Sequence, residues 1–416
     1  MTPVTPSFDS AAFLRQHVDS ILRFYEPRAL DPRGGFYHYF KDDGHVYDRE
    51  HRHLVSATRF VFNWAQAHRH TARQPYLQWT AHALAHVEQF KIQTGSQQGL
   101  YAWTVRSGVI EDATVFAYGQ AFVLLAKAYA YTVGLCDAKD VLAAFEQMNE
   151  AFWCEADMAY ADEISPQGVL MPYRGQNANM HICEACLSAY QATDDQRYWQ
   201  RAQQLIERFA FDLASHAGGL VWEHYNSDWT PDWDYNRGKT DNIFKPWGFQ
   251  TGHQTEWAKL ILIAHQFEPQ ARYLQRAMEL HHGAYTHGWD RTFGGLMYGF
   301  GLDHEPFDRH KYFWVQAESF ASAWRLWKLT GDEVFLKHYK DIWQWSWQYL
   351  VDHTHGAWYR IVSPSGEKIE DTKSPAGKTD YHTMGACWDV MHCINEKPTH
   401  EAAQLLLHIQ KEKARF

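Results

Sequence analysis

The chain has 416 residues, 45% hydrophobic and 21% charged, with a formal net charge of −10. That hydrophobic share supplies a large core, and an acidic balance without a basic run excludes a nucleic-acid partner. No apolar run is long enough to span a membrane, and the segment Met1 to Ser7 lacks the basic and apolar regions of a signal peptide, so a cytoplasmic location is expected.

Helical periodicity begins at Ser10–Tyr25, where Phe13, Val18, Ile21, Leu22 and Tyr25 recur at helical spacing. Pairs of helices are then expected at Leu54–His68 with Tyr76–Phe90, Ala113–Tyr131 with Ala138–Trp153, and Asn177–Thr193 with Gln196–Leu213. Further pairs follow at Thr251–Phe267 with Pro269–Thr286, Phe313–Thr330 with Asp332–Val351, and Tyr381–Cys393 with His400–Lys411. Between them recur Gly-plus-aromatic segments, each read as a turn and a short strand: Gly34–Phe40, Gly99–Trp103, Met158–Ala161, Gly218–His224, Gly294–Phe300 and Gly356–Val362. Their spacing of about 60 to 75 residues marks a repeated supersecondary unit. With no linker rich in Pro, Gly or Ser, these repeats predict one domain over residues 1–416. The expected fold is an (α/α) barrel, with short strands and long loops walling one end; an open solenoid is the alternative.

Polar residues cluster at the starts of alternate helices. Arg174, Asn177, His181 and Glu184 fall at spacings that share one side of a helix starting near Asn177, a combination suited to holding hydroxyl groups. Arg59 stands in the second turn of an otherwise apolar helix, where a charge must face a pocket or be paired. Tyr118 lies near the start of the next such helix. Glu223 and His224 end a strand, and the aromatic insert 225–248 after them is long enough to be a pocket lid. His253 and Glu256 open another helix, Trp314, Gln316 and Glu318 another, and Tyr381 and His382 the last. The six cysteines, including the pair Cys183 and Cys186, read as buried thiols, because no second pair stands at metal-ligand spacing.

Several chemistries remain open to such residues. His181 with Glu184 and His253 with Glu256 offer ligands for a metal, but that spacing is common in a chain with 26 His. A glycosidase would draw an opposed carboxylate pair from Glu184, Glu223, Glu256 and Glu318. Imidazoles beside the first three favour reversible proton transfer near neutral pH over acetal cleavage.

The motifs Arg174 to Glu184, Glu223-His224, Gly252 to Trp257, Tyr381-His382 and His53 to Arg59 resemble those of the N-acylglucosamine 2-epimerase superfamily, in the same order, over about residues 10 to 395. The Arg174 to His181 form is most similar to the aldose–ketose isomerase branch, the mannose isomerase and YihS-like enzymes. This resemblance implies an (α/α)6 barrel that acts on a monosaccharide without metal or cofactor, as a monomer or homodimer. It implies His253 and His382 as acid/base residues and Arg59 at the developing enediolate oxygen. Asn177, His181, Glu184, Glu223, Glu256 and Glu318 would bind hydroxyls or orient the histidines, Trp314 would form a sugar-facing wall, and Arg174 and Tyr118 would join the binding set. The implied reaction interconverts D-mannose and D-fructose, with D-lyxose and D-xylulose as a second pair; a sugar 2-epimerase is the alternative, and a non-catalytic sugar-binding protein a further one. Gln254-Thr255 and Gln316 depart from the family pattern at positions expected to tune substrate size.

Overall fold

The computed structural model describes residues 6–239 and 245–399. The helix expected at 400–411 and part of the insert after His224 lie outside them. Among the described residues are twelve α-helices: α1 (Ala11–Tyr25), α2 (Leu54–Thr71), α3 (Gln74–Val87), α4 (Ala117–Thr132), α5 (Ala138–Phe152) and α6 (Gln176–Thr193). These continue as α7 (Gln196–Leu205), α8 (Thr251–Phe267), α9 (Ala271–Gly288), α10 (Phe313–Thr330), α11 (Glu333–Tyr349) and α12 (Tyr381–Cys393). Among the described residues the strands are two to four residues long and form two- and three-stranded antiparallel sheets. No described helix is long and apolar enough to cross a membrane.

Helices α8, α10 and α12 occupy the expected spans, and three departures have physical causes. Helix α4 starts four residues later than Ala113, because Val115 and Phe116 pair with Ile164 and Glu163 as a strand instead. The helix expected to run unbroken to Leu213 changes at Ile206 to a π-helical stretch, Ile206–Leu213, which keeps Ile206, Phe209, Ala210 and Leu213 buried. Helix α6 begins at Gln176 with Gly175 in extended conformation, so Arg174 lies in a short strand outside the helical face it was expected to share.

The chain divides into two compact units. In the unit made of Met1–Phe24, Gly248–Asp371 and His382–Phe416, α8 packs on α9 and α10, and α10 on α11. Its core gathers around Trp343, whose ring lies 4.6 to 5.8 Å from those of Phe8, Phe13, Phe320 and Trp358. Polar ends inside this core are matched, Trp358 donating to His17 at 2.7 Å and Tyr339 to the Phe8 carbonyl at 2.7 Å. In the unit made of Tyr25–Trp247 and Thr372–Tyr381, α2, α4 and α6 pack in series, with α3 against α2 and α4, α5 against α4 and α7 against α6. Helices α2 and α8 are buried almost all round, over 54–67 and 251–262, so polar residues there must be matched by polar partners.

One device recurs in the repeats. The fourth residue of α4, Gln120, accepts from the Tyr101 amide and donates to its carbonyl; Asn179 of α6 does the same with Tyr160, and Gln316 of α10 with Leu296, all at 2.7 to 3.2 Å. Each amide therefore stitches a helix to the Gly-plus-aromatic segment beside it, closing main-chain groups that would otherwise be buried unpaired. Gln316 is fully buried in that task, and Thr255 is hydrogen-bonded to Ser319, so both side chains have packing partners. Cys183 and Cys186 are buried thiols, and burial pushes the Cys186 thiol up to about 12, far from the range of a redox pair.

Candidate active site

Each unit carries its own set of the expected side chains, most of them buried. In the unit containing α8 and α10, His382 in the first turn of α12 shares a 2.7 Å hydrogen bond through Nδ1 with Glu318 Oε1. Glu318 Oε2 accepts from the Lys259 ammonium. All three are at most 8% exposed, so carboxylate, imidazole and ammonium offset one another's desolvation. The His253 ring lies 5.0 Å from Trp314, and the Trp314 ring lies 6.0 Å from His382. Gly252 leaves room for the Trp314 ring: a Cβ there would stand 2.3 Å from it. Glu256, one turn beyond His253, is fully buried.

In the other unit the Arg59 guanidinium lies over the rings of Phe122 and Tyr381, at 4.4 and 4.6 Å. It donates to the Gly377 carbonyl and, at 3.2 Å, to the Tyr118 hydroxyl. Glu184 ties the neighbouring groups together: Oε2 holds His181 Nδ1 at 2.9 Å and Oε1 accepts from the Tyr381 hydroxyl at 2.7 Å. The His181 ring sits 5.0 Å from Tyr118 and 4.9 Å from Phe122. Thus Arg59, Tyr118, His181, Glu184 and Tyr381 form one connected group. The buried Oδ1 of Asn177 has no hydrogen-bond partner among the described residues, which suits an acceptor reserved for a ligand hydroxyl.

Other expected residues stand elsewhere in that unit. Arg174 donates to the carbonyls of Met171 and Tyr173. Both carboxylate oxygens of Glu223 accept from Gln176 Nε2, at 3.0 and 3.1 Å. His224 donates from Nε2 to the Pro246 carbonyl at 2.6 Å, leaving Nδ1 to accept from the Tyr173 hydroxyl at 2.8 Å. Burial holds its imidazole below the usual range, in keeping with this neutral tautomer. In the insert, Trp229 is buried against Phe209 and Tyr225, and Trp247 donates to the Trp233 carbonyl at 2.6 Å.

Glu256, Glu318 and His382 each offer an atom within 4.8 Å of the others, close enough to surround a cation. Lys259 already supplies a positive charge to Glu318, and the other Glu318 oxygen holds His382. Lys259, Glu318 and His382 thus form an ammonium–carboxylate–imidazole chain. Lys259 and Phe122 were missed by sequence reasoning. A lysine in the run Trp257 to Ile263 is the same signal that marked Arg59, whereas Phe122 looks like any apolar helix residue.

Imidazoles fixed by carboxylates, with a buried guanidinium, are the equipment of an enzyme that moves protons on a hydroxylated substrate. The chain belongs to the N-acylglucosamine 2-epimerase (GlcNAc 2-epimerase) family, whose model matches residues 35–386. It is 47% identical over 392 residues to the D-mannose isomerase of Marinomonas mediterranea, covering 94% of this chain and 99% of that one. A crystal structure of D-mannose isomerase superposes with a TM-score of 0.91 at 45% identity, over 94% of this chain and 100% of the other. The cellobiose 2-epimerase of Bacillus thermoamylovorans B4167 superposes with a TM-score of 0.80 at 21% identity, over 92% and 100%. The fold is therefore the expected all-α (α/α)6 class with short strands, and the sequence stands close to the mannose isomerase branch.

Proposed function

We propose that this protein is an aldose–ketose isomerase that interconverts D-mannose and D-fructose, with D-lyxose and D-xylulose as a second pair, by metal-free proton transfer through a cis-enediol. The observation that carries the reading is the Lys259–Glu318–His382 chain, an imidazole held by Nδ1 so that Nε2 exchanges protons with substrate. Near-full-length identity to a D-mannose isomerase supports the choice of sugar.

In this mechanism His253 exchanges protons with the ring and hydroxyl oxygens as the hemiacetal opens. His382 then takes the C2 proton, the electron pair forms the C1–C2 double bond, and the charge gathering on O1 is met by Arg59. Return of a proton from His382 to C1, with the O2 proton passing by way of His253 to O1 as the C2–O2 double bond forms, gives the neutral ketose. Asn177, His181 and Glu184 bind hydroxyls, Arg174, Tyr118, Glu223 and Glu256 complete the binding set, and Trp314 forms the apolar wall. The enzyme works in the cytoplasm on free monosaccharide.

The test is to treat the enzyme exhaustively with a chelator, add mannose and resolve the products. Fructose at an undiminished rate is expected, because imidazole and guanidinium supply what a metal would otherwise provide. Activity lost to the chelator and restored by one divalent ion would defeat the mechanism, and glucose as the main product would favour a 2-epimerase.

A further inference from the structure

Asp162 is a buried carboxylate that the mechanism does not use. Its main-chain carbonyl accepts from the Ala117 amide at 2.8 Å, at the first residue of α4. Its side-chain Oδ2 accepts from the Gly175 amide at 2.7 Å, immediately before α6. One residue thus holds the entries of the two helices that carry Tyr118 on one side and Asn177, His181 and Glu184 on the other. The glycine of the Arg174-Gly175 pair is explained by this contact, since a Cβ there would stand 3.1 Å from Asp162 Oδ1 and 2.6 Å from the Tyr173 hydroxyl.

The charged groups nearby are committed elsewhere. Lys245 reaches Glu163 at 3.1 Å and lies 4.1 Å over the Tyr173 ring, while Arg174 is bonded to main-chain carbonyls. Tyr173 and Tyr235 also face this carboxylate, and both are neutral at physiological pH because burial raises their hydroxyls further. Burial pushes the Asp162 carboxyl up to about 7, with Lys245, the Gly175 amide and Arg174 pulling it back and Glu163 pushing it further. Because this folded value exceeds the unfolded one, the group's contribution to stability is full below the unfolded value and is lost as pH rises through about 7. Above neutrality the fold therefore carries an anion that costs stability, and in return the Gly175 amide has a charged, stronger acceptor.

We propose that Asp162 is a positioning residue for sugar binding, which fixes the starts of α4 and α6 so that Tyr118, Asn177 and His181 keep the spacing the substrate requires. The proposal rests on the reading that these side chains bind sugar hydroxyls. Its test is the KM and kcat for mannose of the full-length wild type, Asp162→Asn and Asp162→Ala from pH 5.5 to 8.5. Titration of the histidines affects the wild type and the asparagine variant alike, so the ratio of their KM values isolates Asp162. That ratio is expected to rise from near one at acid pH to about fivefold at alkaline pH, the difference between a neutral and a charge-assisted acceptor, with kcat changed less than about twofold. Asp162→Ala, with no acceptor, should raise KM across the range. A ratio of one throughout, or one that does not change with pH, would overturn the proposal, and the asparagine variant decides it should the alanine variant not fold. Wild-type turnover of mannose tests the isomerase reading separately. Were the wild type inert, the same ratio taken as calorimetric Kd values for mannose, glucose and N-acetylglucosamine would decide the role of Asp162.

Discussion

Arg59→Lys is expected to lower kcat by about two orders of magnitude or more, the usual cost of removing a donor at a developing oxyanion. The guanidinium lies over two aromatic faces and donates to both the Gly377 carbonyl and the Tyr118 hydroxyl. Lysine keeps the charge but is a point donor on a flexible stem, with no planar fork to span those partners and an oxygen at once. The bond to Gly377 gives Arg59 a second duty, because it holds the segment that leads into α12. Ser56 and Asn63, on the same helix, bond the Gly377 amide and the Thr379 carbonyl, both at 2.8 Å, and Thr379 and Asp380 are both left-handed, at φ 43° and 51°. Asn63→Ala loosens this segment without touching the charge. It should lower the melting temperature and leave kcat within about tenfold of wild type, since it removes one neutral hydrogen bond. Equal kcat losses in the two variants, or near-wild-type turnover by Arg59→Lys, would confine Arg59 to a structural task.

The second large effect concerns the two histidines. His382→Asn is expected to abolish proton exchange at carbon, a loss of about 10²- to 10⁴-fold for a general base. His253→Asn should still exchange the C1 proton of fructose slowly with heavy water, because an open-chain ketose no longer needs help at the ring oxygen. The difference follows from their settings: His382 is locked by Glu318, which is locked in turn by Lys259, whereas the His253 ring lies tilted against Trp314. Glu318→Gln should lower turnover too, by freeing the imidazole to choose the wrong tautomer and leaving Lys259 buried beside a neutral amide. Equal exchange rates in the two histidine variants, measured by proton NMR, would remove the division of labour.

Much of this arrangement was legible because charge inside an apolar helix is costly and therefore conspicuous. Arg59 announced itself that way, and Lys259 carried the same signal unread. The spans of α8, α10 and α12 were legible from their apolar runs and the motifs at their starts. What the chain order hides is pairing over distance: Glu318 and His382 are 64 residues apart, and Tyr381 and Glu184 are 197 apart. Local pattern also misplaced Arg174, since helical spacing was extended backward through Gly175, where the backbone is extended. Val115 and Phe116 belong to a strand only because Glu163 and Ile164 lie opposite, which no window around Ala113 contains. The long-range carboxyl contact of Asp162 to Gly175 was equally invisible, although the glycine it demands stood in the motif.

The most direct measurement of the central claim is to incubate the wild-type enzyme with D-mannose in heavy water and locate deuterium in the products by NMR. Isomerisation through a cis-enediol predicts fructose carrying deuterium at C1, with no glucose formed at a comparable rate. Glucose carrying deuterium at C2 as the main product would contradict the isomerase assignment and identify a 2-epimerase.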